Sequence, residues 1–437
     1  MLEPVARGRS PTVPPMGFRD IEAAYESGGR RPGHRAGHPR PGRADGAWVS
    51  DGARWVRAAA VLLAGLLMAA CTGESPAPAA AADPLDTIVH ETFTALREAH
   101  GIPGIAVGVI HGDRTRLFGF GTTAPGGDRP VTEHTIFEVG SISKLFTTLL
   151  AGSAAARQRL DLDATPGRYL PQLRDRPIDS ARIRDLATYT AGGLPQQFPA
   201  EVTTEAEMWH YFQQWHPTYR PGTTRLYGNP GMALLGQVTG AALGRSFEDA
   251  MRSEVLEPLG LRHTYFDVPA PRQDDYAWGN AQSGAPVRVS PGPGDTEAYG
   301  LKTTAADLLS FVAANMDHRR APLGMRGSLN ATRHGYYRVG PMTQALGWER
   351  FDYPTSPETL QAGNSAEIVN RPQPVTPAGG PAGPVLFDKT GSTGGFGAYV
   401  AFVPDRSIAV VVLMNRNIPI PARVAATHRV IEALDSR

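Results

Sequence analysis

The spacing of apolar residues predicts different elements in successive parts of the chain. Residues 86–100 carry apolar side chains at helical spacing, whereas residues 105–121 alternate and break at His111-Gly112-Asp113, which predicts a hairpin of two strands. From residue 145 to about residue 304 the spacing is mostly helical, with loops rich in glycine and proline between the helices. The pattern therefore predicts strands early in the chain and helices in its middle.

Strand-like patterns return near the C-terminus. Two β-rich runs, 398–404 and 407–414, precede an amphipathic helix predicted over 421–434. Strands at both ends with helices between them indicate an α/β fold of the α+β type, in which both termini build one antiparallel sheet flanked by helices. An inserted, mostly helical domain completes the predicted fold class.

These patterns predict two domains in the folded part of the chain. Residues 84–155 and 305–437 form the predicted α/β domain, and residues 156–304 form the predicted helical domain. A chain of 437 residues with 41% hydrophobic residues can bury a substantial core, and this length favours two subdomains over one compact unit.

The N-terminal segment predicts an exported protein. Residues 1–57 are rich in Arg, Gly and Pro, so we interpret them as a disordered leader or a misplaced translation start. Residues 58–71 are typical of a signal h-region followed by a lipoprotein cleavage box, which ends at Cys71, and residues 72–83 form a Pro/Ala linker. We expect export to the periplasm or cell envelope with lipidation at Cys71; cleavage within the alanine-rich stretch 79–82 is the alternative.

The charge balance excludes several classes of partner. The chain has 43 Lys and Arg against 42 Asp and Glu, and the basic residues are dispersed after the first sixty positions. Neither nucleic acid nor a polybasic membrane patch is therefore indicated. No His-x-His-x-Asp cluster occurs in the sequence, which argues against metal-dependent hydrolysis. We expect a monomer with no metal and no cofactor.

Lysine is rare in this chain, since only Lys144, Lys302 and Lys389 occur among the 43 basic residues. Arginine evidently serves wherever a positive charge alone suffices. A retained lysine suggests chemistry that a guanidinium cannot perform, because a desolvated lysine can lose its proton and act as a base. Lys144 follows Ser141 by three residues, a spacing that brings both onto one face of a helix and indicates an activated serine nucleophile.

Two further motifs supply candidate proton-transfer and binding groups. Tyr227-Gly228-Asn229 precedes a helix predicted over 231–240, and a phenol beside two ammonium groups is a plausible proton relay. Lys389-Thr390-Gly391-Ser392 predicts an edge strand in which Gly391 lets a substrate approach the backbone and the Ser392 N–H donates to an oxyanion. Each motif also has a purely structural alternative: the serine could cap a helix, the tyrosine could pack in a core, and the Lys-Thr-Gly segment could form a glycine-rich turn. The occurrence of all three motifs in this order favours a catalytic site.

Longer segments carry a resemblance to a known family. Residues 137–144 resemble the nucleophile segment of class C serine β-lactamases, within the superfamily of penicillin-binding proteins and β-lactamases. The other segments that resemble this family are 186–195, 225–229, 290–300, 346–349 and 389–423. The resemblance extends from about Asp83 to Leu434.

This resemblance implies a role for each candidate residue. Ser141 would be the acylated nucleophile, Lys144 and Tyr227 would share the general-base role, and Lys389 would complete the catalytic set. The backbone N–H groups of Ser141 and Ser392 would form the oxyanion hole. The substrate-binding residues that the resemblance implies are Gln197, Asn229, Tyr299, Thr390, Gly391 and Arg423.

Two positions depart from the family pattern. Asp388 stands before the Lys-Thr-Gly motif where many members have His or Asn, and an acid there could pair with a nearby cation. Ile420 occupies a position that is often Asn, so one polar contact to a substrate carboxylate is expected to be missing. Lys302 matches a family position without an implied catalytic role.

The implied activity is hydrolysis of the β-lactam amide of cephalosporins and penicillins through a serine acyl-enzyme. The expected partner is thus a small-molecule β-lactam, and membrane contact is expected only through the lipid anchor. A D,D-peptidase or esterase with the same acyl chemistry is one alternative. A penicillin-binding sensor that is acylated without turnover is another.

Overall fold

The computed structural model describes residues 83–290 and 292–436. The predicted leader, the signal segment and the predicted lipidation site at Cys71 lie outside the described residues. Within the described residues, no helix combines the length and the apolar character needed to cross a membrane.

The secondary structure follows the sequence pattern at both ends of the chain. The β-strands are β1 Gly104–His111, β2 Arg114–Gly121, β3 Ile136–Glu138, β4 Thr224–Arg225, β5 Gly279–Asn280, β6 Pro286–Val287, β7 Lys302–Thr304, β8 Tyr337–Val339, β9 Met342–Gln344, β10 Glu349–Asp352, β11 Gln373–Pro374, β12 Thr376–Pro377, β13 Val385–Ser392, β14 Gly397–Val403 and β15 Ile408–Met414. The α-helices are α1 Pro84–His100, α2 Ser143–Ala156, α3 Ile183–Ala187, α4 Glu205–Gln214, α5 Asn229–Leu243, α6 Phe247–Met251, α7 Asp295–Ala298, α8 Ala305–Met316, α9 Arg326–Arg333, α10 Pro357–Gly363, α11 Ala366–Asn370 and α12 Ile420–Asp435.

The two ends of the chain meet in one sheet. In the described part of the chain the largest sheet has nine strands in the order β12-β8-β9-β10-β13-β14-β15-β1-β2, and its neighbouring strands pair antiparallel. Ile105–His111 of β1 lies opposite Ile408–Met414 of β15. The predicted fold class, a sheet built from both termini and flanked by helices, is therefore confirmed.

Helices cover both faces of this sheet. β14 and β15 are buried along their whole length, as their nearly unbroken apolar sequences indicate. α1 and α12 pack on one face, where Phe93 and Val424 share a core with the sheet. α8 packs on the other face through Leu309 and Phe311. The central strands thus form a rigid support for whatever lies at their ends.

The nucleophile helix α2 joins the sheet side of the molecule to the helical part. Its Leu145 belongs to the core beneath the sheet, and its Ala151 belongs to the core of the helical part. Phe247 and Met251 of α6 also pack in the sheet-side core, although they lie in the predicted helical domain. The predicted domain boundaries stay a prediction, but α2 lies where the two cores meet.

The prediction of an edge strand at Lys389 is wrong for the strand as a whole. β13 lies inside the sheet, between β10 and β14. Its pairing with β10 stops at Asp388, which lies opposite Glu349, so within the described residues Lys389–Ser392 pairs only with β14. Among the described residues, one side of this segment therefore has no sheet partner, and this local edge depends on where β10 begins, which the local sequence does not reveal.

Candidate active site

Ser141 lies in a tight turn between β3 and α2. The turn is a short 3-10 helix, Gly140–Ile142. Gly140 has a φ of 50°, and a Cβ at this position would lie 2.5 Å from the backbone nitrogen of Ser392. Glycine is therefore required both by the conformation and by the close approach. The hydroxyl of Ser143 donates to the carbonyl of Gly140 at 2.7 Å and stabilises the turn.

Lys144 lies beside the candidate nucleophile, as the spacing predicts. Its Nζ donates to Ser141 Oγ at 3.1 Å, to Asn229 Oδ1 at 2.6 Å and to the carbonyl of Ala298 at 2.8 Å. The side chain is 0% exposed, and burial lowers the pKa of Lys144. Its amine therefore loses a proton more easily than a solvated lysine does and can accept one from Ser141.

Tyr227 lies between two lysines. The Nζ atoms of Lys144 and Lys389 lie 5.2 and 5.0 Å from the centroid of its ring. Burial opposes ionisation of the phenol, but the charges of the two lysines and a hydrogen bond with Ser141 outweigh it, so the pKa of Tyr227 lies below its ordinary value. The hydroxyl is thus suited to exchange protons with the nucleophile.

Lys389 is held in the cleft by a carboxylate that sequence analysis did not assign. Glu349 Oε1 lies 3.3 Å from Lys389 Nζ and 3.5 Å from Arg225 Nη2. Burial lowers the pKa of Lys389, but the Glu349 carboxylate raises it, and the net shift is upward, so the lysine stays charged. The sequence could have indicated a role for Glu349, because this acidic residue lies between Trp348 and Phe351, whose side chains are buried.

The end of β13 packs directly against the nucleophile turn. A Cβ at Gly391 would lie 2.0 Å from the carbonyl oxygen of Val139, so only glycine permits this packing. Ser141 and Ser392 consequently lie together at the wall of one cleft. That their backbone N–H groups serve one oxyanion stays a prediction.

Asn229 connects Lys144 to Gln197 at the wall of the cleft. It is the first residue of α5, two residues before the predicted helix start at 231. Its Oδ1 accepts from Lys144, and its Nδ2 donates to Gln197 Oε1 at 2.8 Å. Tyr299 lines the same cleft. Two amide side chains and an aromatic ring thus line one part of the cleft.

The candidate residues surround one cleft with about 860 Å³ of empty space. Its lining residues are Ser141, Gln196, Gln197, Tyr227, Asn229, Tyr299, Val369, Lys389, Thr390, Gly391, Ser392, Thr393, Gly394, Asn417 and Ile420. Every site residue predicted within the described chain lies in this set, except Lys144 and Arg423. Lys144 lies directly beneath Ser141, so its absence from the lining follows from its complete burial.

Arg423 lies behind β13 instead of in the cleft. It is fully buried, and its Nη1 donates to the carbonyl of Gly391 at 2.7 Å and to that of Ala398 at 3.2 Å. Its Nη2 donates to Asn417 Oδ1 at 2.7 Å. The guanidinium also donates to Ser392 Oγ at 3.2 Å and so positions this end of β13, whereas its predicted contact with a substrate stays a prediction.

The two departures from the family pattern have different surroundings. Asp388 could have paired with a cation, but within the described residues it forms no ion pair; its Oδ2 accepts from Asn364 Nδ2 at 2.9 Å and from the Tyr399 hydroxyl at 2.7 Å. The nearby cations are already engaged by Glu349. Ile420 lines the cleft, so an apolar side chain occupies this part of its wall.

Glu138 is a second residue that sequence analysis did not assign. Its Oε1 accepts from the Tyr276 hydroxyl at 2.6 Å and from the Val289 N–H at 2.7 Å, and its Oε2 accepts from Thr393 Oγ1 at 2.5 Å. Glu138 lies three residues before Ser141. It therefore connects the segment before Ser141 to Thr393 at the rim of the cleft. The sequence could have indicated this role, because Glu138 is an acidic residue within the apolar run 136–139.

The arrangement as a whole is suited to acyl transfer. A serine hydroxyl contacts a buried amine and a phenol, and the pKa of each lies below its ordinary value. A charged lysine, Lys389, lines the same cleft as the serine. The site therefore favours a substrate that carries both a reactive carbonyl and an anionic group.

Comparisons with known proteins identify the family that this chain resembles. The β-lactamase family model matches residues 89–435. A β-lactamase of Pseudomonas fluorescens is 43% identical over 351 residues, which cover 80% of this chain and 98% of the relative. A β-lactamase of Lysobacter lactamgenus is 40% identical over 370 residues, with 84% and 96% covered. One of Escherichia coli (strain K12) is 39% identical over 363 residues, with 81% and 95% covered.

Solved structures extend the similarity to the fold. A class C β-lactamase superposes with a TM-score of 0.76 at 36% identity, covering 80% of this chain and 97% of that chain. A structure described as a β-lactamase/D-alanine carboxypeptidase from Pseudomonas syringae has a TM-score of 0.78 at 37% identity, with 80% and 99% covered.

Proposed function

The chain belongs to the β-lactamase family, and we propose that it opens the β-lactam ring through an acyl-enzyme on Ser141. Its relatives and structural neighbours support a class C serine enzyme. One observation carries the assignment of the nucleophile. Ser141 Oγ lies 3.1 Å from a buried amine whose pKa is lowered, beside a phenol whose pKa is also lowered.

Acylation begins when Ser141 Oγ attacks the carbonyl carbon of the lactam. Its proton passes to Lys144 or Tyr227, and the oxyanion that forms is stabilised by the N–H groups of Ser141 and Ser392. The C–N bond of the ring then breaks, and the ring nitrogen receives a proton from Tyr227 or Lys144. The product is an ester of Ser141 with the opened antibiotic.

Deacylation uses the same groups. A water molecule attacks the ester carbonyl while Tyr227 or Lys144 takes its proton, and the Ser141 oxygen leaves and regains a proton. No further carboxylate is needed as a base. Release of the carboxylic acid product then restores the free enzyme.

The substrate class follows from the walls of the cleft. Lys389 and Thr390 bind the carboxylate that cephalosporins and penicillins carry beside the lactam nitrogen, and Asn229 and Gln197 bind the acylamino side chain. Tyr299 bounds the pocket for that side chain. Arg423 acts indirectly, by holding the carbonyl of Gly391.

A D,D-carboxypeptidase activity is the second candidate function. The structural neighbour from Pseudomonas syringae carries both activities in its description, β-lactamase and D-alanine carboxypeptidase. The same nucleophile and oxyanion groups could cleave a terminal D-alanyl-D-alanine bond, because that substrate also presents a carboxylate next to the reacting amide. Release of free D-alanine from such a peptide would distinguish this activity from lactam hydrolysis.

We propose that the protein acts outside the cytoplasm. The support is the apolar run that ends at Cys71, followed by a Pro/Ala linker of suitable length for a tether. β-Lactams act on the cell envelope, so an exported enzyme would meet its substrate before the antibiotic reaches its target.

Steady-state hydrolysis of a chromogenic cephalosporin by purified protein tests the proposed activity. Many equivalents of substrate should be hydrolysed with no metal added, and EDTA should leave the rate unchanged. Consumption of one equivalent, followed by a stable adduct, would instead favour the penicillin-binding sensor.

A further inference from the structure

Glu349 and Asp388 lie directly opposite each other on the adjacent strands β10 and β13. Side chains of directly opposed residues in an antiparallel pair lie on the same side of the sheet with their Cβ atoms close together. Glu349 is 2% exposed and Asp388 is 0% exposed. Two carboxyl groups are therefore buried side by side, next to the lysine of the candidate carboxylate-binding site.

Glu349 uses only one of its two oxygens for its cationic partners. Oε1 lies within 3.3 Å of Lys389 Nζ and 3.5 Å of Arg225 Nη2. Oε2 is buried and has no hydrogen-bond partner among the described residues. A buried carboxylate oxygen without a donor is costly, since desolvation is not compensated.

Asp388 has the same asymmetry. Its Oδ2 accepts from the Tyr399 hydroxyl at 2.7 Å and from Asn364 Nδ2 at 2.9 Å, whereas its Oδ1 is buried without a partner among the described residues. Two directly opposed carboxyl groups thus each have one buried oxygen without a hydrogen-bond donor in the described part of the chain, and a single proton could serve both oxygens. A proton between them gives each oxygen a hydrogen bond and removes one of two like charges.

We propose that Asp388 is protonated in the working enzyme and donates from Oδ1 to Oε2 of Glu349, which makes Asp388 a positioning residue for Lys389. The proposal rests on the proposed function, in which Lys389 binds the substrate carboxylate. Asp388 does not touch the substrate; it acts by fixing the rotamer of Glu349 and by keeping its own charge at zero.

The shared proton sets the charge of this corner of the cleft. The titratable and charged groups around Asp388 are Glu349 on β10, Lys389 on β13, Tyr399 on β14, Arg225 on β4, and Tyr189 and Tyr227, which lie beside Arg225. When Asp388 is neutral, the negative charge of Glu349 balances one of its two cationic neighbours, Lys389 and Arg225. One net positive charge then remains to attract the anionic substrate. An ionised Asp388 would cancel that charge.

The buried surroundings of Asp388 determine the pH at which it loses its proton. Burial, together with the Glu349 carboxylate, raises the pKa of Asp388 to about 8. The group is therefore protonated at neutral pH and loses its proton as the pH rises through that value. Loss of the proton should weaken substrate binding more than turnover, so KM for an anionic β-lactam should rise about tenfold on the alkaline side while kcat changes less.

Asp388→Asn tests the proposal because it copies the protonated acid. Its amide NH₂ can donate to Glu349 Oε2, and its carbonyl can accept from Tyr399 and Asn364. We expect the alkaline rise in KM to shrink to less than about twofold in Asp388→Asn. Asp352→Asn is the matched control, because it removes an exposed acid from the same strand pair, and its KM profile should follow the wild type.

Infrared difference spectroscopy of the substrate-free protein supplies a readout that does not depend on activity. Wild type minus Asp388→Asn should contain the carbonyl band of a protonated carboxylic acid, and this band should disappear as the pH is raised. Because no substrate is present, failure of the proposed function cannot create or remove it. Absence of the band at neutral pH, or an unchanged alkaline rise in KM in Asp388→Asn, would overturn the proposal.

Discussion

The Nζ atom of Lys144 lies 3.1 Å from the Oγ atom of Ser141, three residues earlier in the chain. The contact is possible because Ser141 lies in a 3-10 turn that leads into α2, so that the lysine reaches back beneath the hydroxyl. Burial of the amine lowers its pKa and makes it a candidate base.

Lys144→Arg preserves the positive charge but removes a group that can be deprotonated. If Lys144 acts as a base, kcat/KM for a cephalosporin should fall by at least about 100-fold, as is typical when a general base is lost. Lys302→Arg is the matched control, since Lys302 donates to the carbonyl of Phe266 and lies outside the cleft lining. Folded Lys302→Arg should keep wild-type kinetics. Near-normal activity in Lys144→Arg would remove its assignment as the base.

Tyr227→Phe deletes the phenol and keeps the ring. Pre-steady-state kinetics should reveal slower acylation and slower deacylation, each by about 100-fold or more, because one hydroxyl serves both steps. Tyr189 offers a control, because its ring lies 4.7 Å from that of Tyr227 and its buried hydroxyl has no hydrogen-bond partner among the described residues. Tyr189→Phe should be close to wild type. Equal losses in the two variants would point to packing instead of proton transfer.

The acidic limb of the pH dependence of kcat/KM should depend on the charge of Lys389. Its charge lowers the pKa of Tyr227 and that of Lys144, and both groups must be unprotonated to accept a proton. Removing the charge in Lys389→Met raises both pKa values, so the acid limb of kcat/KM should move to higher pH by about one unit. Lys389→Arg keeps the charge, and its limb should stay in place although its activity falls. An unmoved limb in Lys389→Met would contradict this electrostatic role.

Cys71→Ser tests the proposed location. If Cys71 carries the lipid anchor, the wild type should fractionate with membranes, and Cys71→Ser should appear in the soluble exported fraction with unchanged kinetics. Mass spectrometry of the wild-type N-terminus supplies the direct check. An unmodified N-terminus within residues 79–83 would favour cleavage in the alanine-rich stretch and exclude lipidation.

Sequence reasoning succeeded where the signal is local. Ser141 and Lys144 were predicted from a helical spacing, and the terminal strands were predicted from their apolar patterns because each is a property of a short segment. Gly391 is predicted to let a substrate approach the backbone, whereas the close approach in the structure is that of the Val139 carbonyl, which a local pattern does not reveal. The overall class followed from the order of elements along the chain.

The parts that were missed depend on distant pairings. Glu349 lies in the site because β10 begins opposite Asp388, and Arg423 lies behind β13 because α12 docks on the sheet. The same pairing made Lys389–Ser392 a local edge inside a continuous sheet. No short segment contains that information, so the expected cation partner of Asp388 and the expected substrate contact of Arg423 could not be checked from the sequence.

The most direct test of the account is to identify the acylated residue. Purified protein should be mixed with a slowly hydrolysed β-lactam, quenched in acid, and examined by intact-mass and peptide mass spectrometry. The account predicts one adduct per molecule, located on Ser141, which decays as the β-lactam is hydrolysed and is absent in Ser141→Ala. An adduct on another residue, or continued labelling of Ser141→Ala, would contradict it.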